Sequence, residues 1–205
     1  MSGKNEWGPK QLVPEVLPSD FYLQPTLELA KSLLGCLLVK ESDDGITSGF
    51  IVETEAYLGP EDRAAHSFNN RRTKRTEIMF NHPGHIYTYV MHTHCLVNVV
   101  SAEHERPEAV LIRAIEPFTG IERMKKRRNM TDPKKLTNGP GKLTKAMNIT
   151  MADYGHTFYA SSLYIASGYL PSHISTGPRI GIDNSGEAKH YPYRFWVTNN
   201  PFVSR

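Results

Sequence analysis

The run Ile51-Val52-Glu53-Thr54-Glu55-Ala56-Tyr57-Leu58 constrains this chain more than any other stretch. Alternate residues of a strand share a face, so Glu53, Glu55 and Tyr57 point one way and Val52, Thr54, Ala56 and Leu58 the other. The second set suits a core. The first set puts two carboxylates and a phenol where a core tolerates them only with partners. Gly59-Pro60 ends the strand, and Glu61-Asp62-Arg63 and His66 follow closely. Two arrangements satisfy this pattern. One is a solvated face of an edge strand with Tyr57 at its rim, because such alternation is common in antiparallel sheets. The other is a hydrolytic centre, with a rigidly held carboxylate beside an aromatic ring and an imidazole.

The rest of the chain narrows the choice. Its 205 residues, 39% hydrophobic and 22% charged, suffice for one large domain or two small ones with a sizeable core. No apolar run approaches the ~20 residues of a membrane helix, and residues 1–9 lack the apolar centre of a secretory signal, so a cytoplasmic protein without a membrane partner is expected. Cys36 and Cys95 both lie in apolar runs and form no CxxC pair. Buried free thiols are the expectation, a disulfide the other option, and a zinc ribbon or iron–sulfur cluster is disfavoured. Charge is unevenly spread. Residues 1–60 carry nine acids and four bases, residues 61–150 nine acids and sixteen bases, and residues 151–205 three acids and four bases, giving −5, +7 and +1. The bases of the middle part cluster at Arg71-Arg72-Thr73-Lys74-Arg75, from Arg123 to Arg128, at Lys134-Lys135, and at Lys142 and Lys145. Either these are solvated helix faces and loops or they are the footprint of a polyanion; four clusters in one segment favour a phosphate backbone.

Periodicity and turn residues predict the elements. An irregular arm rich in Gly and Pro covers residues 1–16. Leu27, Leu29, Ala30, Leu33 and Leu34 predict a helix of about three turns that opens near Pro25 and stops at Gly35. Cys36–Lys40 and Gly49–Leu58 predict a hairpin around Asp43-Asp44-Gly45, and Ile86–Met91 and Cys95–Val100 a second with a short tip at His92-Thr93-His94. Residues 66–78 read as a polar loop. Val110–Ile115 is a strand bounded by Pro107 and Pro117. Thr119-Gly120-Ile121-Glu122 fits a capping box ahead of a basic helix from Ile121 to about Asn129. Asn138-Gly139-Pro140-Gly141 is a tight loop before a helix over Lys142–Met147, and Leu163–Ala166, Arg179–Ile182 and Arg194–Val197 are short strands. One mixed α/β (α+β) domain, a β-sheet with helices around it, follows.

Several residues in this framework carry chemistry. Backbone N–H groups at Asn138–Lys142 could meet a phosphate at a helix N-terminus, with Lys142 adding charge, or the loop is an ordinary turn and cap. Tyr87 and Tyr89 share a face of the second hairpin, and with Tyr57 and His66 they could sandwich a flat heterocycle, or they are core aromatics. Asn98, inside Cys95-Leu96-Val97-Asn98-Val99-Val100, needs a hydrogen-bond partner, either a ligand edge or a backbone group. Arg113, on an apolar strand, calls for a carboxylate, with Glu53 and Glu55 the obvious options. The nine histidines contain no H-E-x-x-H or similar set, and no metal is expected.

These residues resemble one family. Glu53-Thr54-Glu55-Ala56-Tyr57-Leu58-Gly59-Pro60-Glu61-Asp62 with Ala64-Ala65-His66-Ser67 is similar to the signature of the alkyladenine (3-methyladenine) DNA glycosylases of the mammalian type. Met79-Phe80, Pro83-Gly84, Tyr87-Thr88-Tyr89, Asn98, Leu111 to Pro117, Gly139-Pro140 with Lys142-Leu143, Arg179-Ile180-Gly181, Arg194-Phe195 and Pro201 to Ser204 continue it in order, from about Leu17 to the C-terminus. The resemblance implies a single domain over residues 17–205, a curved antiparallel β-sheet with surrounding helices and a protruding β-hairpin that enters the DNA minor groove. It implies an enzyme that flips a damaged purine out of duplex DNA and hydrolyses its N-glycosidic bond without a cofactor or an obligate protein partner, as a monomer in the nucleoid. Glu55 matches the general base and Arg113 the arginine that helps hold the catalytic water. Tyr57, His66 and Tyr89 match the residues enclosing the flipped base, and Asn98 the asparagine that crowds the exocyclic amine of guanine. Where the family usually has a Tyr-Gly-Met-type hairpin tip, this chain reads Met91-His92-Thr93-His94, one residue shorter; Met91 is the preferred wedge and His92 the alternative. Arg71, Arg72, Lys74, Arg75 and Lys142 are the expected DNA-binding bases.

The implied mechanism is extrusion of the purine, then attack of water on the deoxyribose C1′ as Glu55 takes a proton. Two rivals fit part of the pattern: a non-catalytic nucleic-acid-binding protein of the same fold, and a hydrolase or formyl-group enzyme acting on a small molecule. The resemblance implies 3-methyladenine, 7-methylguanine, hypoxanthine and ethenoadenine as candidate substrates.

Overall fold

The computed structural model describes residues 14–204. The irregular arm expected over 1–16 lies, for residues 1–13, outside the described residues; Val16 makes an isolated bridge to Ala166. Eight strands form one curved sheet: β1 (Leu37–Ser42), β2 (Gly45–Tyr57), β3 (Ile86–Met91), β4 (His94–Ser101), β5 (Glu108–Thr119), β6 (Leu163–Ala166), β7 (Ile174–Gly177) and β8 (Arg194–Val197). The order is β3-β4-β5-β2-β1-β6, with β8 joining β2 and β7 joining β8, and the described pairings are antiparallel. β2 is the spine. One edge of it pairs with β5, while the other pairs first with β1, up to Phe50, and then with β8 over Glu53–Glu55. The candidate strand is therefore central, which excludes the edge-strand reading of Glu53 and Glu55.

The two faces of the sheet have different fates. Helices α1 (Thr26–Ser32), α2 (Ile121–Arg128) and α3 (Pro140–Met147) belong to one side. Leu29, Ala30, Met124, Leu143 and Met147 close over Ile51, Ala56, Val97, Val99, Val110, Ile112 and Ile115 in the main core. The period-2 alternation of strands sends the intervening residues the other way: Tyr87 and Tyr89 of β3, Leu96 of β4, and Ala109 and Leu111 of β5 form a second, smaller cluster with Met79. On β2 a register shift between Ile51 and Glu53 changes the parity. An inserted residue of this kind re-aims the side chains beyond it. Ile51, rather than Val52, thus joins Ala56 in the helical core, while Thr54 bonds to the Ala30 carbonyl of α1.

Several expected elements are corrected. α1 has seven residues, closer to two turns than three, and Pro25 is its N-cap. Thr119 does not cap α2, because it ends β5 paired with Ser48; Gly120, at φ 74°, is the N-cap, and Glu122 pairs with Lys125 instead. β5 runs through Pro117, which lies opposite Gly49 beside a bulge, where a missing N–H is tolerated. Residues 66–78 hold short 3₁₀ turns at Phe68–Asn70 and from Glu77. Arg179–Ile182 is a loop, since Gly181 takes φ 78° and the strand of this region is β7. The second hairpin turns at His92-Thr93, both at positive φ. This is the primed geometry that two-residue hairpins need, reached without the usual Asn-Gly.

Candidate active site

Burial decides what Glu53 and Glu55 do: both are 0% exposed, and a buried carboxylate persists only with donors around it. Glu53 is saturated. Its Oε1 accepts from Arg113 Nε (3.2 Å), Arg194 Nε (2.6 Å) and Ser204 Oγ (2.8 Å), and its Oε2 from the Ser204 backbone N–H (2.8 Å). Glu55 is less occupied. Its Oε1 accepts from the Ile180 backbone N–H at 2.7 Å and lies 3.2 Å from Arg113 Nη1, and its Oε2 accepts from the Tyr57 hydroxyl at 2.7 Å. A carboxylate oxygen has two acceptor positions, so Oε2 retains one that no described residue fills. Arg113 spans both acids, joining the two options that its position on an apolar strand left open.

A cleft of about 370 Å³ opens beside this centre, lined by Tyr57, His66, Tyr89, Met91, Asn98 and Arg113 among others. That volume lies in the range of small-ligand sites, about 300–1,000 Å³. His66 meets Tyr89 edge-on, with ring centroids 4.6 Å apart, and its Nδ1 is 2.8 Å from the Tyr87 hydroxyl. Burial, reinforced by the positive charges of Arg75 and Arg71, pushes the His66 imidazole down to about 4, so it is neutral at pH 7. Burial raises Glu55 above the ordinary carboxylate range against the opposing pull of Arg113, the Ile180 N–H and the Tyr57 hydroxyl, and Glu53 raises it further. A more basic carboxylate is a better proton acceptor for as long as it stays ionised. Burial also raises Tyr57, and it raises Tyr89 to about 12, so both remain phenols.

Glu55, Tyr57, His66, Tyr89, Asn98 and Arg113 thus converge, drawn from β2, β3, β4, β5 and the turn after β2. Asn98 donates to the Tyr87 carbonyl at 3.0 Å, so its partner is backbone. Met91, 44% exposed, stands at the end of β3 on the cleft rim, next to the exposed tip residues His92 and Thr93. The basic residues divide. Arg71, Lys74 and Arg75 are exposed, and the charges of Arg71 and Arg75 reach His66. Arg72 is tied to Glu77 and Glu105 and lies over the Phe80 ring, so it is engaged within the protein. Lys142 is exposed and donates to Asn138 Oδ1 at 3.0 Å. The helix start at Asn138–Lys142 offers few free donors, since Pro140 has no N–H and that of Lys142 goes to the Gly139 carbonyl.

Residues 20–201 match the model of the methylpurine-DNA glycosylase (MPG) family. The chain belongs to this family. Its similarity to curated bacterial proteins is extensive. It is 67% identical over 189 residues to a protein of Bacillus subtilis strain 168, covering 92% of this chain and 96% of that protein. It is 60% identical, with the same coverage, to one of Oceanobacillus iheyensis, and 49% identical over 185 residues to one of Listeria monocytogenes EGD-e, covering 90% and 89%. Each of the three carries the name "Putative 3-methyladenine DNA glycosylase". As a methylpurine-DNA glycosylase this chain is a hydrolase that acts on DNA. Sequence reasoning did not find four features of the glycosylase site: the Ile180 N–H on Glu55, the Arg194 and Ser204 contacts to Glu53, the Asp62–Arg179 pair, and Arg63 on the cleft wall. Arg179 stands in a motif segment, but its partner lies 117 positions away, and no local spacing encodes that.

Proposed function

We propose that this glycosylase excises alkylated or deaminated purines from duplex DNA, with 3-methyladenine as the principal lesion and 7-methylguanine, hypoxanthine and ethenoadenine as further candidates, and leaves an abasic site. The observation that carries this reading is Glu55: a fully buried carboxylate held by Tyr57 and Arg113, both on the wall of a cleft that His66 and Tyr89 also line. A purine inside a duplex is out of reach, so the nucleotide is extruded first, at a few kcal/mol. Met91 at the end of the β3–β4 hairpin is the proposed wedge in the minor groove, with His92 beside it. Arg71, Lys74, Arg75 and Lys142 supply attraction to the phosphates through counterion release.

The extruded base lies against Tyr57, His66 and Tyr89, with Asn98 at its edge. Alkylation at N3 or N7 makes the purine cationic, and electron-rich rings favour a cation by up to about 2 kcal/mol when water is excluded. A neutral His66 adds no repulsion. Water then attacks C1′: the C1′–N bond breaks with its electron pair leaving on the base, the C1′–O bond forms, and Glu55 takes a proton from the water while Arg113 holds the carboxylate in place. The names of the relatives support 3-methyladenine as the lesion. The protein acts as a monomer on nucleoid DNA in the cytoplasm in this reading. Incubation with methylated duplex DNA, followed by mass identification of the released bases, tests it. Release of 3-methyladenine by the native chain, and loss of roughly 10²–10⁴-fold in rate for Glu55→Gln with DNA binding kept, is expected; DNA left with every methylated purine attached refutes it.

A further inference from the structure

The Arg179–Asp62 pair lies outside the roles given above, yet it touches every donor on Glu55 except Arg113. Arg179 is 5% exposed and Asp62 2%. Arg179 Nη2 is 2.8 Å from Asp62 Oδ1, and its Nη1 bonds to Asp62 Oδ2 and to the Ala56 carbonyl at 2.8 Å. Asp62 in turn accepts from the backbone N–H groups of Leu58 (3.1 Å) and Ala64 (3.0 Å), which shapes the turn after β2. The Arg179 guanidinium also stacks on aromatic rings: its Cζ is 4.6 Å from the centroid of Tyr57 and 5.3 Å from that of Tyr193. No described residue accepts from its buried Nε.

The next residue along the chain is Ile180, whose N–H bonds to Glu55 Oε1, and the stacked ring is Tyr57, whose hydroxyl bonds to Glu55 Oε2. One guanidinium therefore sets the position of a donor on each oxygen of the carboxylate. The segment it anchors has no regular structure: from Ile180 to Ser185 it is loop, exposed at Ile180, and it forms one wall of the cleft. A loop without ladder hydrogen bonds needs such an anchor to hold a donor within a few tenths of an ångström. We propose that Arg179, locked by Asp62, is a positioning residue that holds the Ile180 N–H and the Tyr57 hydroxyl on Glu55 and so aims the Glu55 carboxylate at the attacking water. The inference rests on the assignment of Glu55 as the base. Arginine suits this task and lysine does not, because only a planar fork can engage a carboxylate with two bonds while stacking on a ring.

Two variants test it. Arg179→Lys keeps the buried charge opposite Asp62 but loses the fork and the stack. The pair Asp62→Asn with Arg179→Gln leaves no buried ion unpaired and so keeps the fold. In both, single-turnover release of 3-methyladenine should fall about tenfold or more, as small misplacements of a reacting group do, while DNA affinity stays within about twofold. The acid limb of the pH–rate profile should also move to higher pH, because Glu55 loses hydrogen bonds that favour its charged form. The other charged and titratable groups facing Glu55 are Glu53 and Tyr57 on β2, Tyr89 on β3 and Arg113 on β5, with Arg194 on β8 acting through Glu53, and all are unchanged in these variants. A merely structural role would lower the melting temperature and leave the acid limb in place. Native rate and native acid limb in folded Arg179→Lys overturn the inference. If Glu55→Gln also retains activity, the assignment of the base falls with it; if Glu55→Gln is inactive and Arg179→Lys is native, this inference alone falls.

Discussion

Lowering the pH should destabilise this protein through His66, by an amount that can be worked out. The imidazole is held at about 4 in the folded state, first by burial and then by Arg75 and Arg71, against about 6.5 in an unfolded chain. The folded state binds the proton less tightly, so stability is present above pH ~6.5 and is lost as pH falls toward 4. At pH 5 the unfolded imidazole is almost fully protonated and the folded one almost fully neutral. The mismatch of nearly one proton over about 1.5 pH units, at about 1.4 kcal/mol per unit, amounts to about 2 kcal/mol between pH 7 and pH 5. The loss reaches about 3 kcal/mol at pH 4 and is complete below it. Urea unfolding at pH 7 and pH 5, run in parallel on His66→Gln, isolates this contribution, because every other titrating group is common to both proteins. The native chain should lose about 2 kcal/mol more than the variant. Equal losses, within about 0.5 kcal/mol, would refute the reasoning and would mean that the imidazole beside Tyr89 is charged in mildly acidic solution. The consequence for catalysis is direct, since a charged His66 would repel the cationic purine that the cleft is proposed to hold.

Three further outcomes are expected. Tyr57→Phe keeps the ring and removes the donor on Glu55 Oε2, so release of 3-methyladenine should slow about tenfold, in line with the loss of one hydrogen bond to a charged group, and its acid limb should shift upward; single-turnover rates across pH check both. Removing Arg71 or Arg75 should lower the slope of log affinity against log salt by about 1 each, whereas Arg72→Ala, whose guanidinium is already engaged by Glu77 and Glu105, should leave it nearly unchanged; fluorescence anisotropy with a short duplex reads the difference. Lys40→Met strands the buried Asp153 carboxylate, which the Lys40 ammonium meets at 2.5 Å, and should cost about 3 kcal/mol in urea unfolding.

Local chemistry determined much of this protein before any tertiary contact was considered. The Ile51–Leu58 strand, both hairpins and the basic middle segment follow from alternation, turn residues and charge, which act over a few positions. The ordered motifs named Glu55, Tyr57, His66, Tyr89, Asn98 and Arg113; the fold lines one cleft with the last five and bonds Glu55 to Tyr57 and Arg113 of its wall. Tertiary structure decided what local pattern cannot encode. Which donors hold Glu53 and which hold Glu55 depends on Ser204, Arg194 and Ile180, which lie 151, 141 and 125 positions away. The parity of β2 depends on a bulge against β5, and the capping box at Thr119 fails because that residue is taken into the sheet. The division between Arg72 and its neighbours depends on Glu105 across the fold. In each case the sequence specifies which groups need partners, and chain topology alone selects the partner, because the desolvation of a buried charge is satisfied by whatever donor the fold brings within about 3 Å.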